Sequence, residues 1–304
     1  MIVAEGSARV ELAIAPDQPV GEAYRSMTRA FKIAGIDTAA LDARLLLCVI
    51  LEIDAAVLIA QPDRPVGDKA AMVVAAASRR IAREPISRIV GYREFYGRDL
   101  QISPATLDPR PDTETLVDAI LNVARSPEYA AKPLRLIDVG TGSGCLLVTL
   151  LAELPIATGV ATDISQAALE IAARNASTHG VSSRMEVRIA DALDGIDETF
   201  DMLVSNPPYI PSLEICTLQP EVRDFEPMDA LDGGPDGLAI YRRIIGRLNI
   251  VVPVGYAFFE IGKTQAGEVS TLLRIAGRDA RWPLATVTND MAGHPRCVAQ
   301  KTLR

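Results

Sequence analysis

Between residues 21 and 83 apolar positions recur at helical spacing. Tyr24, Met27, Phe31 and Ala34 share one face, and Gly35 supplies a stop. Asp37 or Thr38 can cap a second helix carrying Leu41, Leu45, Leu46, Val49 and Ile50. Asp54 can cap a short third helix, and the pattern over 67–83 predicts a fourth. No strand pattern interrupts them, so residues 19–85 predict a small all-helical domain behind a loose extension, 1–18. Pro85 ends the run. Over 86–103 the period changes: Ile89, Gly91, Arg93, Phe95 and Gly97 mix with Tyr92 and Tyr96 in short extended runs. This predicts a β-hairpin linker across 86–111, with a helix beginning at Asp112 or Thr113.

From residue 134 strand and helix patterns alternate. Strands are expected at 134–139, 157–162, 184–189, 201–205 and 255–261, and two more near 283–288 and 296–302. Helices are expected at 143–153, from the cap Ser165 to about residue 178, at 238–251 and at 264–276. A βαβ series of this kind predicts a mostly parallel sheet with helices on both faces across 112–304. The proline-rich segment 206–236 fits neither period. It begins at the C-terminal end of a strand, where open α/β sheets bind ligands.

Composition narrows the function classes. The chain has 304 residues, 49% of them hydrophobic and 23% charged, which excludes disordered and low-complexity classes and suits one large domain or two smaller ones. No uncharged apolar run is long enough to cross a membrane. Glu5, Arg9, Glu11 and Asp17 break up the first residues, so no secretory signal is expected, and the chain is expected to be cytoplasmic. Cys48, Cys145, Cys216 and Cys297 lie far apart, and His179 and His294 are the only histidines. No disulfide framework and no metal site is expected. The net charge of −8 argues against direct nucleic-acid binding. Locally, Arg79, Arg80, Arg83, Arg88, Arg93, Arg98 and Arg110 outnumber the nearby acids, which predicts either a solvated face or a docking patch.

Two motifs carry chemistry. The first runs Leu136-Ile137-Asp138-Val139-Gly140-Thr141-Gly142-Ser143-Gly144. It is a buried strand, a glycine turn and a helix start, and such glycines let backbone turn tightly against a ligand. At the end of the next strand stands Asp163, a carboxylate that can accept from ribose hydroxyls. Nicotinamide and flavin domains use similar turns. The closer glycine spacing and the acid at Asp138 favour S-adenosylmethionine, which has no pyrophosphate to seat. Asp138 could instead tie down the turn, and Asp163 could instead cap the following helix.

The second motif is Asn206-Pro207-Pro208-Tyr209, directly after a strand. The Asn206 side-chain carbonyl and the Pro207 main-chain carbonyl are two fixed acceptors, because consecutive prolines lock φ and add no N–H. Tyr209 offers a flat face. Together they suit a planar –NH2 group whose two hydrogens are held while its nitrogen faces an electrophile.

The chain here resembles the HemK/PrmC family, the glutamine N5-methyltransferases of peptide chain release factors. The resemblance rests on Asn206 to Tyr209, on the Arg83–Thr115 stretch, and on Pro220-Glu221-Val222-Arg223, Gly233-Gly234-Pro235-Asp236-Gly237 and Glu260-Ile261-Gly262-Lys263-Thr264-Gln265. It implies a seven-stranded, Rossmann-like class I methyltransferase fold behind a helical substrate-recognition domain. Its implied cofactor is S-adenosylmethionine, leaving S-adenosylhomocysteine. Its implied substrate is the glutamine of a Gly-Gly-Gln loop in class 1 release factors, with translation termination as the process. By position, Asp138, Gly140, Thr141, Gly142, Ser143, Gly144, Asp163, Ile164, Asp191, Ala192 and Asn206 would line the cofactor. Asn206, Pro207, Pro208 and Tyr209 would hold the amide, with Phe95, Arg110 and Glu114 nearby. A tryptophan common beside the adenine is Ala192 here, and Asp108 stands where an apolar residue is usual. A monomer is expected, with no membrane partner. Three alternatives are a glutamine methyltransferase of a large-subunit ribosomal protein, a DNA adenine N6-methyltransferase, and a non-catalytic cofactor-binding partner of the translation machinery.

Overall fold

The computed structural model describes residues 12–277 and 282–303, so most of the expected N-terminal extension lies outside the described residues. The chain divides into two compact units, one ending at Gly91 and the other beginning at Tyr92. Among the described residues no helix is long and apolar enough to cross a membrane.

The first unit contains α1 (Val20–Ile33), α2 (Ala39–Leu51), α3 (Ala55–Ala60), α4 (Ala70–Ile81) and α5 (Ile86–Val90). Met27 and Phe31 of α1, Leu46 and Leu47 of α2, and Val73 and Ala77 of α4 form its core. Thr38 and Asp54 stand at the expected N-caps, but neither side chain caps its helix. Tertiary burial, rather than capping, carries these helices. Leu41 and Leu45 are exposed, because α2 turns Asp42 inward to meet Arg80 of α4 at 2.7 Å. That pair corrects the expected arginine patch. Arg80 is buried, while Arg79 grips Glu84 at 2.7 Å and Arg83 donates to the Gly35 carbonyl at 2.6 Å. Residues 86–90 are helical rather than extended; Ile86 and Ile89 pack on the helical core.

The second unit opens with the antiparallel hairpin β1 (Tyr92–Phe95) and β2 (Arg98–Gln101), followed by α6 (Glu114–Ala124). Then come β3 (Arg135–Val139), α7 (Cys145–Glu153), β4 (Thr158–Asp163), α8 (Gln166–Thr178), β5 (Met185–Ile189) and β6 (Met202–Ser205). After α9 (Pro220–Arg223), α10 (Ala239–Gly246) and α11 (Leu248–Val251) come β7 (Gly255–Glu260), α12 (Ala266–Ala276), β8 (Thr286–Asn289) and β9 (Pro295–Thr302). One seven-stranded sheet results, in the order β5-β4-β3-β6-β7-β9-β8. It is parallel except for β9, which runs antiparallel to both neighbours.

Both faces of the sheet are covered, and the strands show why. Successive side chains alternate between two cores. Leu136, Met202, Val204 and Phe258 enter one core with Leu116 and Leu147, while Ile137, Leu203 and Phe259 enter the other with Tyr241 and Ile244. The expected helix over 238–251 is interrupted after Gly246, a poor helix former, and restarts at Leu248. The order reverses at β3, which lies between β4 and β6. Their C-terminal ends therefore open one crevice.

Candidate active site

That crevice holds a cavity of about 460 Å³. Its floor is the turn after β3. Gly140, Gly142 and Gly144 have φ of +74°, +55° and +80°, conformations that a side chain would strain. A Cβ on Gly140 or Gly142 would project into open space, so the turn leaves bare backbone against the cavity. Gly140, Thr141, Gly142 and Ser143 line it. Gly144 does not; a Cβ there would meet Ala172 of α8 at 3.1 Å, so its role is close helix packing. Asp138 is not in the cavity wall either. It is fully buried and accepts from Thr141 Oγ1 at 2.6 Å, which ties down the turn from below. Burial pushes its carboxyl up to about 7.

Asp163 lines the cavity half-buried at the end of β4. Its two oxygens accept from the N–H groups of Gly142 and Ser165, both at 2.9 Å, which joins the glycine turn to the start of α8. Burial raises its pKa despite these donors. Ser165 caps α8, accepting from Ala168 N–H at 3.2 Å. Ile164, Asp191 and Ala192 also line the cavity, and Asp191 is held by Arg243 at 2.7 Å. Ala192 takes a positive φ of 54° there.

Asn206, Pro207 and Pro208 form another wall. Tyr209 is not part of it. Its ring packs with the core that contains Tyr241, and burial pushes its hydroxyl up to about 12. The turn is clamped from behind. Gln265 Nε2 donates to the Tyr209 carbonyl at 3.0 Å, and its Oε1 accepts from Gly262 N–H at 3.0 Å. A Cβ on Gly233 would fall 2.8 Å from the Pro208 carbonyl, and one on Gly237 2.4 Å from that of Tyr209. The Gly233–Gly237 loop thus touches the turn backbone to backbone.

The residues before α6 close the cavity. Arg110 lines it and pairs at 2.8 Å with Glu226, whose side chain is fully buried. Glu226 also accepts from the Asp108 N–H at 3.1 Å, and Arg93 lies 3.9 Å from the Asp108 carboxylate. This accounts physically for an acid at position 108. Phe95 and Glu114 do not line the cavity: Phe95 is fully buried in the core, and Glu114 accepts from Tyr96 N–H at 2.9 Å. Neither histidine lines it.

Comparison with known proteins gives this site a family. A family model of the PrmC N-terminal domain matches residues 22–91, and one of the methyltransferase small domain matches 119–217. The release factor glutamine methyltransferase of Bradyrhizobium diazoefficiens is 42% identical over 288 residues, covering 94% of this chain and 96% of the relative. That of Cereibacter sphaeroides is 44% identical over 283 residues, covering 92% and 97%. The chain belongs to the release factor glutamine methyltransferase family. Among solved structures, the hMettl16 catalytic domain superposes with TM-score 0.53 at 17% identity over 75% of this chain and 82% of that one, a likeness of fold.

Within this family member, two residues by the Asn206 wall were given no role in the site by the sequence reading. Thr113 lines the cavity, is buried, and lies 3.5 Å from Asn206 Nδ2. Glu260 ends β7, paired beside β6 in the register Ser205 to Phe259. It is 1% exposed, and burial pushes its carboxyl up to about 7. The available signal was a lone acid closing the apolar run Gly-Tyr-Ala-Phe-Phe.

Proposed function

We propose that this chain transfers a methyl group from S-adenosylmethionine to the side-chain N5 of the glutamine in the Gly-Gly-Gln motif of class 1 peptide chain release factors, and so modulates translation termination. The observation that carries the reading is one cavity walled by both motifs, the bare glycine turn and Asn206-Pro207-Pro208.

The residues fit the cofactor. Open space where Cβ atoms of Gly140 and Gly142 would stand gives a cradle for it, and the volume suits a small-molecule site. Asp163, Asp191, Asp229 and Asp232 line the cavity against Arg110 and Arg243. Both arginines are already matched to acids, so the local balance favours a cation. Gly140 to Ser143, Asp163, Ile164 and Ala192 would hold it, and when bound it supplies an electrophilic methyl on a sulfonium.

The protein's own part is orientation. An amide nitrogen is a weak nucleophile, because its lone pair is delocalised into the carbonyl. Asn206 Oδ1 and the Pro207 carbonyl would take the two hydrogens of the substrate –NH2 and keep its nitrogen directed into the cavity. As positive charge grows on that nitrogen, both acceptors bind it more tightly. The amide nitrogen takes the methyl as the methyl's bond to sulfur breaks, and the proton it then sheds passes to water, so no base is needed before attack. The match to the PrmC N-terminal domain supports a release factor over a ribosomal protein as substrate. We read the helical unit as the substrate-recognition part, and the enzyme as a monomer that contacts neither nucleic acid nor membrane.

Asn206→Ala tests the assignment. Turnover should fall by on the order of a hundredfold, as when a preorganised polar contact is lost. Cofactor affinity, measured by calorimetry, should change little. Unaltered turnover would remove Asn206 from the role.

A further inference from the structure

We propose that Glu260 is a positioning residue that acts through Thr113 to fix which way the Asn206 amide faces. The proposal rests on the reading of Asn206 as the acceptor for the substrate –NH2.

The argument is one of hydrogen-bond polarity. An ionised carboxylate can only accept, whereas a hydroxyl can donate once and accept besides. The hydroxyls of Thr113 and Tyr209 act on the Glu260 carboxylate and favour its ionised form. Its Oε2 is buried without a hydrogen-bond partner, so this carboxylate is short of donors and draws the Thr113 hydrogen toward itself. Thr113 Oγ1 is then left with lone pairs alone for Asn206. At 3.5 Å it faces Nδ2, the amide's donor end, as that polarity requires. Oδ1 is thereby left to the cavity, where an –NH2 needs an acceptor. With Glu260 neutral, the hydroxyl could instead donate to Asn206, and the opposite orientation, which offers the substrate a donor, would compete.

The surroundings do not supply a direct cation. Arg296 of β9 acts on Glu260 from a distance, but its guanidinium bridges Asp112 at 2.8 Å and Asp290 at 3.1 Å. Asp112 adds negative charge, and Tyr241 donates to the Glu260 main-chain carbonyl at 2.6 Å rather than to its carboxylate. Cys145 and Cys297, which feel the charge of Glu260, are thiols held neutral by burial. With the carboxyl raised to about 7, its ionisation falls in the working range of the enzyme, and turnover should climb as pH rises through neutrality.

The test is steady-state kinetics of the wild type, E260Q, T113V and T113S with release factor and S-adenosylmethionine across that pH range. E260Q and T113V should each lose roughly tenfold or more in kcat, with KM for the cofactor little changed. E260Q should lack the acid limb near neutrality, and T113S should recover most of what T113V loses. Wild-type kcat with the limb intact in E260Q would overturn the proposal, as would T113S as slow as T113V. If E260Q does not fold by thermal melt, the T113V and T113S pair decides. A wild type that methylates no glutamine refutes the function itself; an active wild type with insensitive variants refutes only the positioning role.

Discussion

The carboxyl of Asp138 lies under the glycine turn with no exposure to solvent, and burial holds its pKa near 7 against the Thr141 hydrogen bond. In the unfolded chain it ionises in the ordinary carboxylate range. Its contribution to stability is therefore present in acid, below the unfolded value, and is lost as pH rises toward 7. Asp138→Asn keeps an acceptor for Thr141 and removes the titration. Urea denaturation at a series of pH values should show the variant gaining on the wild type by on the order of 1–3 kcal/mol between acid and mildly alkaline conditions. Parallel pH curves would show that the buried carboxyl is not raised. The glycine turn and Asn206 were legible as residue types at fixed spacing. The inward turn of Asp138 was not, because the same acid before a glycine turn can face a ligand or tie the loop, and only burial decides. Thr113, in the turn before α6, and Glu260, at the end of β7, were harder still, since only the fold brings these distant segments near each other.

At the scale of elements, the site depends on how the loop after β6 is held. Gly237 has φ +73°, and a Cβ on it would stand 2.4 Å from the Tyr209 carbonyl oxygen and 2.7 Å from Gln265 Nε2. Gly237→Ala should push the Asn206–Tyr209 turn out of register and lower kcat by roughly tenfold or more, because small displacements at a positioned site are costly. The strain itself should cost about 1–3 kcal/mol in global stability, readable from a melt. A variant with unchanged kcat would show that the loop does not hold the turn. The central strands β3, β4, β6 and β7 were readable because each is a largely apolar run buried on both faces, whereas the edge strands β5 and β8 are exposed. The inward face of α2 was not legible for a physical reason. Asp42 enters the core because Arg80 meets it there, and a single-helix pattern carries no information about a partner on α4.

For the whole molecule, each of the two compact units contains one family match, and the relatives are covered almost end to end. The acidic net charge of −8 is read as turning the enzyme away from nucleic acid. The direct measurement is methyl transfer from labelled S-adenosylmethionine with purified release factor and purified large-subunit ribosomal proteins offered side by side, followed by peptide mass mapping. The account predicts one methyl, on the glutamine of the release factor's Gly-Gly-Gln motif. Label confined to a ribosomal protein, or label in neither, would contradict it.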